Sequence, residues 1–458
     1  MLDVTEQLRR YGDAATRHAT PIGAAELSMP VPHSRRPGDR RRLLVGIAAL
    51  CVVIVVVVGL LVVERGSDNT EIALKPRVAV PQVAWTQVAM PPGAQAVASV
   101  AGNGAGLVAV GGVPTPMAGN VPAPSTAVIW FSGDGGQTWE IVLVAPPLPD
   151  QAHPSGPPVL QTSFTKVRWL DGAFVALGAR QQPDDSGPLA TVWVSRDGRS
   201  WTMSDAAPFQ PTTTKRARAL RSPLVGSTVS DVTEWRGGLL VVGDLYTNNR
   251  RQCCGLSPTV WTSDDGAQWS RRVLDLGDGF DPYQTSVTTR GNTLVALGRM
   301  GKWPATQWTS TDLRTWHAST IADQGYATIA MTGRGYVAAG SVLLPGPMSG
   351  PKARARPTIW WSRGADSWKQ VLQLAPGRSE NRSFGAVATI EGLSVVTGPA
   401  TDASRRSNKL YVSADGRTWG AVPPPDPSSA LHFVVGSESQ GIFVSGGNAL
   451  WVARLTGR

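Results

Sequence analysis

The sequence is poor in cysteine, histidine and charge, and it lacks the short motifs that mark several enzyme classes. It has only 3 cysteines and 5 histidines in 458 residues, and charged residues make up 17% of the chain. No CxxC pair or zinc-ligand spacing occurs, and no phosphate-binding loop, HExxH sequence or serine-nucleophile elbow is present. The sequence therefore predicts no metal ion and no cofactor, and motifs identify no catalytic residue.

Glycine, proline and tryptophan are abundant instead, with 50, 36 and 17 copies, which is typical of an all-β chain with many turns. A short turn pattern repeats six times, and residues 258–272 (PTVWTSDDGAQWSRR) are its clearest copy. An aromatic residue precedes a serine by two positions, an aspartate and a glycine follow, and a tryptophan closes the turn. The serines are Ser132, Ser195, Ser263, Ser310, Ser362 and Ser413. The fourth copy has Leu313 in place of glycine, and the fifth has Gly364 in place of aspartate.

A second repeat gives the number of units. An apolar run ending in glycine occurs seven times, at 107–111, 174–178, 239–243, 294–298, 336–340, 394–398 and 442–446. After the seventh run only the segment around Trp451 remains, which is one strand short of a complete unit. Residues 83–92 (VAWTQVAMPP) read like the strands that follow the turns elsewhere. The sequence thus predicts seven four-stranded sheets in a ring, with the last sheet completed by the first strand.

The turn pattern resembles the Asp-box, the bacterial neuraminidase repeat of sialidases and sortilin-type receptors, over roughly residues 83–455. The resemblance implies a seven-bladed β-propeller. It also implies a structural role for the box carboxylates, because a short carboxylate accepts hydrogen bonds from the backbone of its own turn. These are Asp134, Asp197, Asp265, Asp312 and Asp415. In related sialidases the active site lies on the opposite face, among the loops that join strands two and three and successive blades.

The first 82 residues have a different character. Residues 43–63 are 21 uncharged apolar residues, long enough to cross a bilayer as one transmembrane helix. Five arginines precede this run within residues 35–42, so we expect residues 1–42 to be a largely disordered cytoplasmic tail and the propeller to be extracellular. Residues 64–82 would form a stalk. A cleaved signal peptide is the alternative, but the apolar run is too long and no small-x-small cleavage site follows.

Basic residues cluster in the stretches expected on the face opposite the boxes. The candidate ligand-binding residues are Arg216, Arg218, Arg221, Arg250, Arg251, Arg354, Arg356, Arg405 and Arg406. A ring of arginines would attract carboxylates or phosphates, which favours an anionic glycan or polymer of the cell envelope as the partner. The alternative is that these loops are only soluble and basic in a chain whose net charge is +10. Nucleic acid is disfavoured because the domain should be extracellular and no binding motif occurs.

The sequence is compatible with three functions. A non-catalytic binding or scaffold domain is favoured over a sialidase-like glycosidase, because the Arg-Ile-Pro motif that such sialidases carry in the first blade is absent. Arg168, Glu234, Asp281 and Tyr283 fall in or next to inner strands, but their spacing assigns no catalytic role. The third possibility is a signalling protein that relays binding to a cytoplasmic partner of residues 1–42.

The cysteines add one open question. Cys51 lies within the apolar run and reads as a small apolar residue. Cys253 and Cys254 are adjacent in a loop, where an extracellular location favours oxidation. A disulfide between neighbours forms a strained ring, so a free pair or an intermolecular bridge is also open.

Overall fold

The structure is a computed structural model, and it describes part of the chain within the compact unit Glu71–Arg458. The described residues are 83–94, 96–114, 125–145, 162–181, 188–211, 224–247, 256–274, 280–300, 305–322, 325–344, 354–376, 383–385, 387–390, 392–399, 409–425, 431–437, 441–446 and 449–455. No helix among them is long and apolar enough to cross a membrane. The predicted cytoplasmic tail, transmembrane helix and stalk all lie outside these residues.

The described strands form seven four-stranded antiparallel sheets, here called blades 1 to 7. Blade 1 contains β2 Ala96–Gly102, β3 Leu107–Pro114, β4 Ser125–Ser132 and β5 Glu140–Val144. Blade 2 contains β6 Thr162–Leu170, β7 Ala173–Gln181, β8 Pro188–Ser195 and β9 Thr202–Met203, followed by a 3-10 turn at Ala207–Phe209. Blade 3 contains β10 Leu224–Trp235, β11 Gly238–Thr247, β12 Leu256–Ser263 and β13 Ser270–Val273.

The second half of the chain repeats this order. Blade 4 contains β14 Phe280–Arg290, β15 Thr293–Met300, β16 Ala305–Ser310 and β17 His317–Ala322. Blade 5 contains β18 Gly325–Thr332, β19 Gly335–Leu343, β20 Ala355–Ser362 and β21 Lys369–Gln373. Blade 6 contains β22 Val387–Ile390, β23 Leu393–Thr397, β24 Leu410–Ser413 and β25 Gly420–Val422. Blade 7 contains β26 Leu431–Ser437, β27 Gly441–Gly446 and β28 Ala449–Leu455, and its fourth strand is β1 Val83–Val88.

The first strand completes the last blade, as the sequence predicted. In the antiparallel pair of β1 and β28, Trp85 is opposite Ala453 and Gln87 is opposite Trp451. One buried apolar cluster fills each of the seven junctions between neighbouring blades, including the junction of blade 7 with blade 1. Closing the ring covers the strand edge that β28 would otherwise leave unpaired.

The glycine that ends an apolar run lies opposite a bulge in the innermost strand. Gly243 pairs with Val229, and the register shifts before the next pair at Asp231. A Cβ atom at Gly243 would lie 2.0 Å from the Thr228 carbonyl oxygen, so only glycine fits there. The same pairing with the residue before a bulge occurs at Gly111, Gly178 and Gly446. The repeated glycine therefore leaves room for the bulge in the inner strand.

The fourth box has leucine in place of glycine, and a smaller residue in the preceding blade leaves room for it. Gly198 and Gly416 lie against the aromatic rings of Phe131 and Trp361, each of which directly precedes the box serine of the preceding blade. The residue before the third box serine is the smaller Thr262. Leu313 replaces the fourth glycine at a φ of 59° and is buried in the cluster between blades 3 and 4. Its side chain thus adds apolar contact at a junction where Thr262, and not an aromatic residue, directly precedes the box serine of the preceding blade.

Restoring the consensus glycine at this position is expected to weaken the protein. The Leu313→Gly change removes a buried side chain at a cost of a few kcal/mol and relieves about 1 kcal/mol of strain at positive φ, for a net loss of about 2 kcal/mol. Ala365→Gly is the matched control, because Ala365 occupies the fifth glycine position at a φ of 64° with only a methyl group. We expect that control to be neutral or slightly stabilising. Chemical denaturation measures both, and a stabilising Leu313→Gly change would contradict the packing role.

Candidate functional site

The box turns hold their carboxylates by hydrogen bonds within the turn. In the third box the Asp265 Oδ1 atom accepts the backbone N–H groups of Ala267 and Gln268 at 2.8 and 2.9 Å. The Ser263 hydroxyl accepts the Gly266 N–H at 2.8 Å. The other four box aspartates accept two backbone N–H groups of their own turn in the same way. Each of these five carboxylates is therefore bonded within its own turn.

These hydrogen bonds also set the acidity of the box carboxylates. The backbone N–H groups of Thr315 and Arg314 lower the pKa of Asp312 to about 2. Backbone donors likewise hold the pKa of Asp197 and Asp265 below the ordinary aspartate value, and the Thr138 side chain is the main cause at Asp134. The folded pKa lies below the unfolded value, so this contribution to stability is present at neutral pH and declines as the pH falls below about 4.

A shallow groove of about 380 Å³ lies between the second and third box turns. Its lining includes Asp197, Ser204 and Asp265. Both carboxylates accept bonds from their own turns, and the Ser204 hydroxyl donates to the Gly266 carbonyl at 2.7 Å. The Ser204 bond thus joins blades 2 and 3, while the two carboxylates are engaged within their own turns.

The strand topology gives the ring two distinct faces. Within each blade the antiparallel order brings the first hairpin turn and the box turn to one side, the box face. The connections between strands two and three, and those between blades, begin and end on the other side, the loop face. Neighbouring blades have the same orientation in the ring. The Thr233 hydroxyl at the end of β10, for example, hydrogen-bonds to the Thr289 hydroxyl at the end of β14. This arrangement matches the expectation from the Asp-box resemblance.

Polar residues at one repeated position join the inner strands of neighbouring blades. The Ser99 hydroxyl donates to the Val167 carbonyl at 3.2 Å, which links blades 1 and 2. The Ser286 hydroxyl contacts the Ile329 carbonyl at 3.3 Å, which links blades 4 and 5. Thr328 contacts the Gly385 carbonyl at 3.5 Å at the entry to blade 6. We call this set, Ser99, Lys166, Asp231, Ser286 and Thr328, the inner belt.

Asp231 is the centre of the belt and is completely buried. Its carboxylate lies 2.8 Å from the Lys166 Nζ atom and 3.0 Å from the Arg168 Nη2 atom. The Ser286 hydroxyl and the Val287 backbone N–H both donate to its Oδ2 atom at 3.1 Å. One carboxylate therefore connects the inner strands of blades 2, 3 and 4.

The charges of this cluster influence one another. Burial alone would raise the pKa of Asp231, but the nearby guanidinium of Arg168 and ammonium of Lys166 outweigh it and lower that pKa. Burial and the neighbouring Arg168 lower the pKa of Lys166, while Asp231 opposes that shift. The Lys166 and Arg168 side chains remain 30% and 34% exposed. The arrangement is thus an ion-paired structural centre in which the carboxylate is fully satisfied.

Of the predicted ligand-binding arginines, two fall within the described residues. Arg354 and Arg356 are exposed where β20 begins, at the loop face of blade 5. The Arg356 guanidinium is 3.4 Å from the Gln373 side-chain oxygen on the neighbouring outer strand. The remaining candidates and the adjacent cysteines lie outside the described residues, namely Arg216, Arg218, Arg221, Arg250, Arg251, Arg405, Arg406, Cys253 and Cys254.

The four residues considered for catalysis do lie on inner strands. Arg168 is paired with Asp231, and Glu234 accepts the Asp171 backbone N–H at 2.7 Å near the box face. Asp281 and Tyr283 belong to β14, where the pairing is interrupted between Asp281 and Ser286. Among the described residues no three His, Cys, Asp or Glu side chains come together as a metal site.

Lys166, Asp231 and Ser286 were not predicted as a connected group. A signal was available, because each belt residue stands twelve positions before the glycine of its apolar run, as Asp231 does before Gly243. The residue type at that position varies from serine to lysine to aspartate. A search for identical residues therefore passes over it.

The fold and its turns define the class of protein. The chain is a seven-bladed β-propeller with Asp-box turns, and this prediction is confirmed by the strand pairing and the turn hydrogen bonds. No protein-family profile matches the sequence, and no curated protein sequence matches it.

Comparison with solved structures finds other proteins of similar fold. Trypanosoma rangeli sialidase in complex with the inhibitor DANA is 12% identical, with 83% of this chain and 60% of that chain covered and a TM-score of 0.45. The phage phi92 endosialidase is 10% identical, with 69% and 64% covered and a TM-score of 0.44. Penicillium chrysogenum alpha-L-arabinanase complexed with arabinobiose is 14% identical, with 69% and 94% covered and a TM-score of 0.38. This chain spans less than two thirds of the length of the first two proteins.

Proposed function

We propose that this chain is a membrane-anchored extracellular propeller that binds an anionic glycan or polymer of the cell envelope without catalysing a reaction. Residues 43–63 would be the anchor, and the loop face would be the binding surface. The observation that carries the proposal is the position of the basic stretches relative to the strands. Each stretch is joined on both sides to strands that begin or end at the loop face.

Blade 5 gives the best-described example of this position. Arg354 directly precedes its third strand and Arg356 is the second residue of that strand; both are exposed, and no described carboxylate pairs with either guanidinium. In blade 3 the stretch with Arg250 and Arg251 connects β11 to β12, whose paired ends Tyr246 and Leu256 lie at the same face. Several arginines on one face would give a positive potential that attracts carboxylate or phosphate groups.

The rest of the molecule is suited to a rigid support. The box carboxylates are bonded within their turns, and Asp231 is paired within the belt. Sites on a rigid scaffold are commonly formed by the loops that it presents, because loops tolerate changes that strands do not. We therefore assign ligand recognition to the loop face and stability to the belt and the boxes.

A charge-reversal experiment tests the proposal. Full-length chain in phosphatidylcholine vesicles is titrated with a glycerol-phosphate polymer, with hyaluronate and with neutral dextran. We expect salt-sensitive binding of the anionic polymers only, because screening weakens interactions between exposed charges. The triple variant Arg216→Glu, Arg251→Glu, Arg354→Glu should bind at least about tenfold more weakly, since three exposed pairs contribute roughly 0.5–1 kcal/mol each.

The control variant carries the same charge change on the box face, at Arg196, Arg314 and Arg363, and should bind the polymers like the unaltered chain. Equal losses of polymer affinity in both variants would show that binding depends only on the net charge, which would contradict a loop-face site. Hydrolysis of a fluorogenic sialoside by the purified chain would contradict the non-catalytic part of the proposal.

A further inference from the structure

The direction of β1 shows from which side the chain enters the ring. In blades 1 to 6 the fourth strand begins at the box face, directly after the box turn. β1 is the fourth strand of blade 7 and runs antiparallel to β28, with Val83 opposite Leu455 and Val88 opposite Leu450. Val83 therefore lies at the box face, and the polypeptide that precedes it is joined to the propeller on that side.

The box face carries an uneven distribution of charge. Blades 4 to 6 present five exposed arginines in their hairpin and box turns, here called the arginine sector: Arg290, Arg314, Arg334, Arg363 and Arg417. The described acidic residues of the same turns are fewer, namely Asp312, Asp366 and Asp415. The turns of blades 1 to 3 and the adjoining strand ends have the opposite excess. They hold Asp134, Glu140, Asp171, Asp197, Glu234, Asp264 and Asp265 against Arg196, Arg199, Arg236 and Arg271.

Contacts between blades hold the arginine sector together. The Arg290 Nη1 atom donates to the Arg363 carbonyl at 3.0 Å, so the first turn of blade 4 is fastened to the box of blade 5. The Arg417 guanidinium lies 3.8 Å from the centre of the Trp361 ring, which fastens the box of blade 6 to blade 5. These two contacts thus link the turns of blades 4, 5 and 6.

Two of the acidic residues in this sector are hydrogen-bonded within their own turns. Asp312 and Asp415 each accept two backbone N–H groups. The side chains of Arg314 and Arg363 are exposed and make no described hydrogen bond or ion pair. These two guanidinium groups keep all their donors for a ligand outside the molecule.

We propose that the arginine sector rests on the anionic phospholipid headgroups of the membrane that anchors the chain. This inference rests on the proposed anchor at residues 43–63. The preceding chain enters the propeller at the box face, and on this ground we assign that face to the bilayer. Guanidinium groups pair well with phosphate oxygens, and basic residues near an anionic membrane are attracted over about one Debye length. The loop face is then presented away from the lipid, towards the envelope polymer.

Arginine labelling in lipid vesicles tests this orientation. Full-length chain is reconstituted either in phosphatidylcholine or in an equimolar mixture with phosphatidylglycerol, and phenylglyoxal modification of each arginine is followed by mass spectrometry. We expect labelling of Arg314 and Arg363 to fall by about threefold or more in the anionic vesicles at low salt and to recover at high salt. Labelling of Arg196, which lies outside the sector on the same face, should be equal in both lipids.

Paired variants separate the sector from total charge. Arg314→Glu with Arg363→Glu should abolish the lipid-dependent protection of Arg334 and Arg417. Arg196→Glu with Arg272→Glu makes the same charge change outside the sector and should leave that protection intact. Both pairs involve exposed side chains, and thermal unfolding confirms that each variant is folded.

The outcomes distinguish this inference from the proposed function. Carbonate-resistant association with phosphatidylcholine vesicles reports the anchor alone, and its absence overturns both the anchor and the lipid contact. An inserted chain whose sector arginines are labelled equally in both lipids overturns the lipid contact and leaves the anchor in place. Soluble polyglutamate, added to the chain in neutral vesicles, could protect the sector arginines from labelling as strongly as anionic lipid does. That result would assign the sector to an anionic polymer and would also overturn the inference.

Discussion

Replacement of Asp231 by alanine is expected to lower the free energy of unfolding by about 3 kcal/mol. The change leaves Lys166 and Arg168 without their shared carboxylate, and it removes the acceptor of the Ser286 hydroxyl and the Val287 backbone N–H. Breaking a buried ion pair typically costs 3–5 kcal/mol, and the low end of about 3 applies because both cations are a third exposed.

The measurement is urea or guanidinium unfolding of the two proteins at neutral pH. Asp264→Ala is the matched control, because Asp264 is an exposed carboxylate of blade 3, and its removal should change stability by less than about 0.5 kcal/mol. The pKa of Asp231 is lowered in the folded state, so the difference between Asp231→Ala and the unaltered protein should be full at neutral pH and shrink as the pH falls below about 4. Similar losses from both substitutions would contradict the central role of Asp231.

Deletion of residues 83–92 is expected to cost more than about 5 kcal/mol, enough to unfold a domain of typical stability. The deletion removes β1 and leaves the backbone edge of β28 unpaired. It also exposes the buried Trp451 and Val452, which pack in the junctions on either side of blade 7. An open apolar strand edge promotes association, so the deleted chain should also form oligomers.

A deletion of equal length within the stalk, residues 68–77, is the control and should leave the unfolding transition unchanged. A synthetic peptide of residues 83–92 added to the deleted chain should restore part of the lost stability, because it supplies the missing strand. Size-exclusion chromatography and thermal unfolding measure both effects. Normal cooperative unfolding of the chain without residues 83–92 would show that blade 7 does not need β1.

Much of the architecture could be predicted because the repeat is short-range. The box serine, aspartate and glycine contact one another within a few residues, as Ser263, Asp265 and Gly266 do, so their spacing is preserved in the sequence. The number of apolar runs gave the number of blades, and the unpaired segment around Trp451 indicated that Trp85 belonged beside it. Even the two irregular boxes were recognised by the positions of Ser362 and Ser310.

The candidate sites were harder to predict for a physical reason. Asp231 meets Lys166 and Ser286 across 65 and 55 residues of sequence, through three different blades. Their proximity depends on the bulge after Val229 and on the packing of neighbouring inner strands, neither of which has a local sequence motif. The compensation between Leu313 and the smaller residue before the third box serine is likewise visible only when two blades are placed side by side.

The sequence by itself determined the repeat, the count of seven and the closure of the ring, because these follow from local turn chemistry and from the order of similar segments. The tertiary structure alone decided that one buried carboxylate joins three blades, and that the arginines of blades 4 to 6 share the face at which β1 begins. Those features arise from pairs of residues that are distant along the chain. Folding brings them within the few ångströms over which hydrogen bonds and ion pairs act.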